Sequence, residues 1–79
     1  MPAPGVEPAY KRLGRRICFF REKRRMRQDE LADEVGLGRT SIVNIEAGKQ
    51  RVLIHHVVLI AEALKVPFPM LLKGVFVDD

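Results

Sequence analysis

Apolar residues recur at helical spacing along most of this chain. Leu13, Ile17 and Phe20 stand at i, i+4 and i+7, which predicts a first helix from Pro8 to about Arg24 with Arg12, Arg15, Arg16, Lys23 and Arg24 on its outer surface. A second helix is predicted from about Gln28 to Val35, burying Leu31, Ala32 and Val35, with Asp29 and Glu30 placed in the first turn where carboxylates complement the helix dipole. Gly36 follows the last apolar position and suits a left-handed helix end. The next helical pattern begins at Arg39, so only Gly36, Leu37 and Gly38 separate the two helices, and a sharp crossing follows. Gly38 is the expected N-cap, and Leu37 is placed to pack on Ile42 as a hydrophobic staple. In this third helix Ile42 and Ile45 point inward with Glu46 beside them, while Thr40, Val43, Asn44 and Ala47 face outward. Gly48 closes it, and Lys49 to Leu53 reads as a basic loop. Ile54, Val57, Ala61 and Leu64 mark a fourth helix over Ile54–Leu64. Pro67 opens a short fifth helix to about Leu72, ended by Gly74. Strand-like alternation is confined to Val75, Phe76 and Val77, so the fold class is all-α.

Seventy-nine residues make one small domain and leave no volume for a deep substrate cleft. The expected division is a flexible arm over 1–8, a folded domain over 9–73 and a tail over 74–79 that contributes to dimerisation. No apolar run reaches the roughly 18 residues that span a bilayer. The first eight residues lack the basic-then-apolar order of a signal peptide, and a lone Cys18 cannot form an internal disulfide, so a reducing cytoplasm is the expected setting. The same cysteine lies among cations, which would lower a thiol pKa if it were exposed, but its expected role is that of a small residue on the helix flank. Net charge is +4, and nine of the fourteen basic residues fall between Lys11 and Arg27, opposed there only by Glu22. Such a segment concentrates polyanions, either nucleic acid or an anionic membrane surface.

The chemistry of enzymes is not assembled here. Adjacent His55 and His56 point about 100° apart and have no Cys or carboxylate cluster beside them, so no metal site is expected. No nucleophile, base and orienting acid can be grouped, and no phosphate-cradling glycine loop is present, so no catalytic residue and no cofactor are implied. What the pattern does supply is two short helices joined by a glycine-containing turn, the second with a polar face opposite its buried one. An α-helix about 10–12 Å across fits the major groove of B-DNA, and a preceding helix at a steep angle braces it. That layout is a DNA-binding helix-turn-helix.

The run RRICFFREKRRMRQDELADEVGLGRTSIVNIEAGKQ, continued by VVLIAEALKV, resembles the phage repressor and Cro-like family, also called XRE. The likeness covers about Leu13 to Leu72 and rests on Ile17, Arg21, Gln28, Leu31, Ala32, Gly36, Ile42, Ile45, Glu46, Gly48, Ala61 and Leu64 in order. It implies a compact five-helix repressor-like bundle and a sequence-specific transcriptional regulator, chiefly a repressor, of double-stranded DNA. By the same resemblance Arg39, Thr40, Val43 and Asn44 read base edges, with Arg suited to guanine, Asn to adenine and Val to a thymine methyl. Gln28, Lys49 and Arg51 contact phosphates, and Arg21 and Glu46 form an internal ion pair. The family often has Ser or Thr where Arg27 caps the second helix and Ser where Gly38 precedes the third, so both caps are expected to be weak here.

Leu59, Phe68, Met70, Val75, Phe76 and Val77 exceed what one small core holds. Leu59, Met70, Val75, Phe76 and Val77 therefore define the expected homodimer interface, which would set two third helices one DNA turn apart on a roughly palindromic operator. Two other readings stand beside this one. An antitoxin-like interaction protein would use the tail or arm to hold a partner polypeptide, and a basic amphipathic segment would act at anionic membranes.

Overall fold

The computed structural model describes residues 6–76 of the chain, and within that range the architecture is five helices: α1 (Val6–Lys23), α2 (Gln28–Val35), α3 (Arg39–Glu46), α4 (Ile54–Leu64) and α5 (Phe68–Leu72). No strand occurs among the described residues, so Val75 and Phe76 are not strand, and Val77 lies outside the described range. α1 starts two residues before the expected Pro8, inside the segment read as a flexible arm. Pro8 is then the third residue of the helix, within the first turn, where its missing N–H leaves no bond unmade. The arm expected over 1–8 is thus helical from Val6, and its earlier part lies outside the described residues.

α1 ends at Lys23 by a device the sequence pattern does not announce. Arg25 takes the left-handed conformation at φ 56°, and the Met26 N–H reaches back to the Arg21 carbonyl at 3.1 Å. Glycine normally fills such a position because a Cβ there crowds the following carbonyl. α2 ends on Gly36 at φ 74°, with the Leu37 N–H returning to the Ala32 carbonyl at 3.0 Å. These bonds satisfy carbonyls that the helix leaves open. Pro67 is the N-cap of α5 rather than its first residue, and Pro69 occupies the first turn.

One apolar core joins all five helices. Ile17 of α1, Leu31 of α2, Ile42 of α3, Ile60 of α4 and Leu71 of α5 are completely buried. Leu37, Phe20 and Leu59 pack half-buried against this cluster. Among the described residues no buried side-chain nitrogen or oxygen lacks a hydrogen-bond partner. Ile54, grouped by spacing with the buried stripe of α4, is instead 68% exposed, because it sits in the first turn at the rim of the molecule.

The tail needs a correction. Val75, expected at a subunit interface, is 1% exposed and belongs to the core, and the Arg12 guanidinium donates to its carbonyl at 3.3 Å. Burial in its own chain leaves Val75 nothing to offer a partner. Arg16 likewise turns inward, donating through Nε to the Met70 carbonyl at 3.1 Å while its guanidinium lies 5.1 Å from the Phe20 ring centre. Arg12 and Arg16, expected on a solvated outer surface, therefore tie the C-terminal segment to α1. The end of α5 and the segment after it leave carbonyls without helical partners, and guanidinium donors satisfy those of Met70 and Val75.

Candidate nucleic-acid interface

α3 is held from behind and left open in front. Gly14 of α1 is buried against its C-terminal half, where an added Cβ would stand 2.6 Å from the Glu46 carbonyl oxygen and closer still to that of Ile45. Gly48, at φ 73°, packs with similar intimacy on Lys11. Together these glycines let the end of α3 lie directly on α1. The sequence reading missed Gly14; its one signal is a glycine in the interior of an otherwise apolar-periodic helix, a choice that costs about 1 kcal/mol of helix propensity unless close approach requires it.

At 100° per residue, Arg39, Thr40, Val43 and Asn44 span an arc of about 140° on the side of α3 opposite Ile42 and Ile45. Arg39 and Thr40 are exposed, and Val43 and Asn44 are half-buried along the edge of the same face. Gly38 begins the helix with extended backbone and no side-chain cap, its carbonyl accepting from the Ser41 and Ile42 N–H groups at 3.1 and 3.3 Å. A side-chain-free start keeps the end of α3 narrow. Lys49 and Arg51 are exposed in the segment after the helix.

Behind this face runs a hydrogen-bonded chain that links three elements. Arg21 of α1 donates through Nε to Oε2 of Glu46 at 2.6 Å and through a terminal nitrogen to Oε1 at 3.0 Å. The paired side chains retain 10% and 6% of their exposure. The same guanidinium donates to the Met26 carbonyl at 2.7 Å, fixing the turn between α1 and α2. Gln28, the first residue of α2, donates its amide to Glu46 Oε1 at 3.1 Å, and its own oxygen accepts from Arg39 at 3.5 Å. Gln28 thus stands between the buried ion pair and the first exposed cation of α3.

Electrostatics follow these contacts. The hydrogen bond to Glu46 raises the Arg21 pKa above its usual range, with burial opposing. The Cys18 thiol is pushed up, first by burial and then by Glu46 and Glu22, with Arg21 opposing. The effect is opposite in sign to that of the neighbouring cations, because desolvation and the carboxylates outweigh Arg21, and it fits a small residue on the helix flank. At the start of α2 the Arg27 N–H donates to Glu30 at 2.7 Å, which is half of a capping box. Arg27 has no acceptor for the other half, and its guanidinium instead pairs with Asp29 at 3.1 Å, holding that carboxyl below its usual range. Among the described residues no group of three or more His, Cys, Asp or Glu side chains is placed to hold a metal ion. No helix among them is long and apolar enough to cross a membrane.

Comparison with known proteins agrees with this geometry. A family model described as helix-turn-helix matches residues 20–71. Among solved structures, the restriction-modification controller protein C.AhdI from Aeromonas hydrophila superposes with a TM-score of 0.76 at 26% identity, over 78% of this chain and 94% of that one. The clp gene regulator ClgR from Corynebacterium glutamicum superposes at 0.82 with 19% identity, over 85% of this chain and 71% of that one, a likeness of fold. No curated protein matches at the sequence level. The match runs through the turn, both of its helices and the core that supports them, and so the chain belongs to the XRE-type helix-turn-helix family of DNA-binding transcription regulators.

Proposed function

We propose that the protein is a sequence-specific repressor that binds a roughly palindromic duplex operator as a homodimer in the cytoplasm, associated with the nucleoid. The observation that carries this reading is the exposed face of α3, whose N-terminal half projects from a helix anchored at its other end. Arg39, Thr40, Val43 and Asn44 are the proposed base-reading residues, their side chains matching guanine, thymine-methyl and adenine edges in the major groove. Lys49 and Arg51 are proposed to grip phosphates, as is Gln28 through the amide hydrogen not given to Glu46. The likeness to a restriction-modification controller protein favours a regulatory role.

The proposed dimer surface is the rim of α4 with the end of the chain. Leu53, Ile54 and Phe76 are 66%, 68% and 75% exposed. Ile54 and Phe76 border an apolar groove of about 220 Å³ that also involves Ala9, Tyr10, Leu13 and Leu72. Leu59, half-buried, and Met70, exposed, flank this region in sequence, and Val77 lies outside the described residues. A second copy is the occupant that a two-fold operator requires.

The test is selection from a randomised duplex library at about 150 mM salt, where nonspecific attachment is suppressed. Enrichment of a two-fold-related motif is expected. Binding without enrichment would remove Arg39, Thr40 and Asn44 from the reading face.

A further inference from the structure

We propose that the outer face of α1, centred on Phe19, is a second nucleic-acid surface that takes an unpaired strand. Phe19 is 53% exposed about one turn before the C-terminal end of α1. Its ring meets Phe20 edge-on, with centroids 5.2 Å apart, and the Lys23 ammonium lies 5.4 Å from its centre. Arg15 precedes Phe19 by one turn and Lys23 follows it by one, so two basic residues whose backbones stand about 12 Å apart along the axis bracket a half-exposed aromatic ring, with the Lys23 ammonium over it.

The charge of this region is larger than the fold consumes. Of the basic residues between Lys11 and Arg27, Arg21 is held by Glu46, Arg27 by Asp29, and Arg12 and Arg16 by carbonyls near the end of the chain. The side chains of Arg15, Arg24 and Arg25 are exposed and engage no other described residue. Glu22 is the only carboxylate among them.

The face is also separate from α3. Gly14 marks the contact with α3, and Phe19 stands about 140° round the helix from it. A duplex meeting this face would offer phosphates to Arg15 and Lys23 but no base to the ring, since paired bases are stacked on each other. An unpaired strand offers both, phosphate to the cations and a base to the aromatic face. An acidic polypeptide would satisfy the cations and leave the phenyl ring without a partner, so the polynucleotide is favoured.

The experiment uses the full chain and fluorescence anisotropy with 20-nucleotide oligo-dT and oligo-rU at about 150 mM salt. Binding to at least one strand is expected, oligo-dT alone assigning DNA, oligo-rU alone assigning RNA, and both assigning a surface indifferent to the sugar. Phe19→Ala and Phe19→Leu should each weaken it roughly tenfold or more, because leucine keeps the apolar bulk but cannot stack. Arg15→Gln should lower the salt slope by about 0.7. Library-selected duplex binding should be unchanged in all three variants, and it remains measurable if strand binding fails. Circular dichroism melting confirms that each variant is folded, and Lys23→Gln supplies a second charge variant on the same face. Absence of binding to both strands overturns the proposal. So does a Phe19→Leu protein that binds like the parent, or displacement of the strand by polyglutamate irrespective of residue 19, which would assign the face to acidic polypeptides.

Discussion

At Gly14 a missing side chain decides how closely two helices approach. The carbonyls of Ile45 and Glu46 occupy the space a Cβ would need, and both are backbone atoms that cannot swing aside. Gly14→Ala should therefore push α3 off α1 and cost about 1–3 kcal/mol of stability, read as a lowered midpoint in chemical denaturation, despite alanine's better helix propensity. An unchanged midpoint would mean that the helices slide without penalty. Arg25 presents the opposite case, a side chain where none is favoured. Arg25→Gly should stabilise the fold by about 0.5–1 kcal/mol, since relief of left-handed strain exceeds the added entropy of the unfolded chain. A loss of stability would show that the arginine makes a compensating contact. Neither residue could be assigned from periodicity, because helical spacing reports which face is buried and is silent on backbone approach and on φ. The same silence explains Cys18: cations adjacent in sequence would lower the pKa of an exposed thiol, whereas the groups that reach the thiol through space include Glu46 from another helix.

Among the elements, α2 and α4 were legible to the residue, and α3 to within one, since Ala47 is its C-cap rather than part of it. Each has an apolar stripe of helical period, and Gly36 and Gly48 stop α2 and α3 with the conformation glycine favours. The ends of α1 and α5 were less so, because proline tolerates several first-turn positions and Arg25 does a glycine's work. The link from α1 through α3 to α2 was legible only in part: the Arg21 and Glu46 pairing followed from family resemblance, and the engagement of Gln28 with Glu46 did not. Glu46→Ala would leave the Arg21 guanidinium with only the Met26 carbonyl and a long contact to the Cys18 sulfur at 3.7 Å, in a site of about 10% exposure. The expected cost is about 3 kcal/mol, with most of it recovered in the double variant Arg21→Met, Glu46→Leu, where no charge is stranded. A thermodynamic cycle measures this coupling, and additive losses would show that the two side chains act independently.

For the molecule as a whole, the surfaces divide the labour. Apolar residues at the rim of α4 and the end of the chain gather on one region, and Ile54→Glu is expected to convert a dimer into a monomer in sedimentation equilibrium while leaving the melting behaviour of the subunit nearly intact, since Ile54 contributes little to the core. A parent chain that stays monomeric at about 100 μM would remove the interface itself, as standard-size interfaces hold far tighter. Sequence alone overfilled that interface with Val75, because counting apolar residues cannot tell which of them a guanidinium clamp draws inward. The anchoring of α3 has a practical side. Its C-terminal half is seated on α1 and its N-terminal half carries the exposed positions, so the element resembles an interchangeable tool bit held in a fixed chuck. Operator preference should be open to redesign at the exposed Arg39 and Thr40 with little effect on folding, whereas grafting the whole of α3 from another regulator would fail unless the graft also respects the bare surface of Gly14.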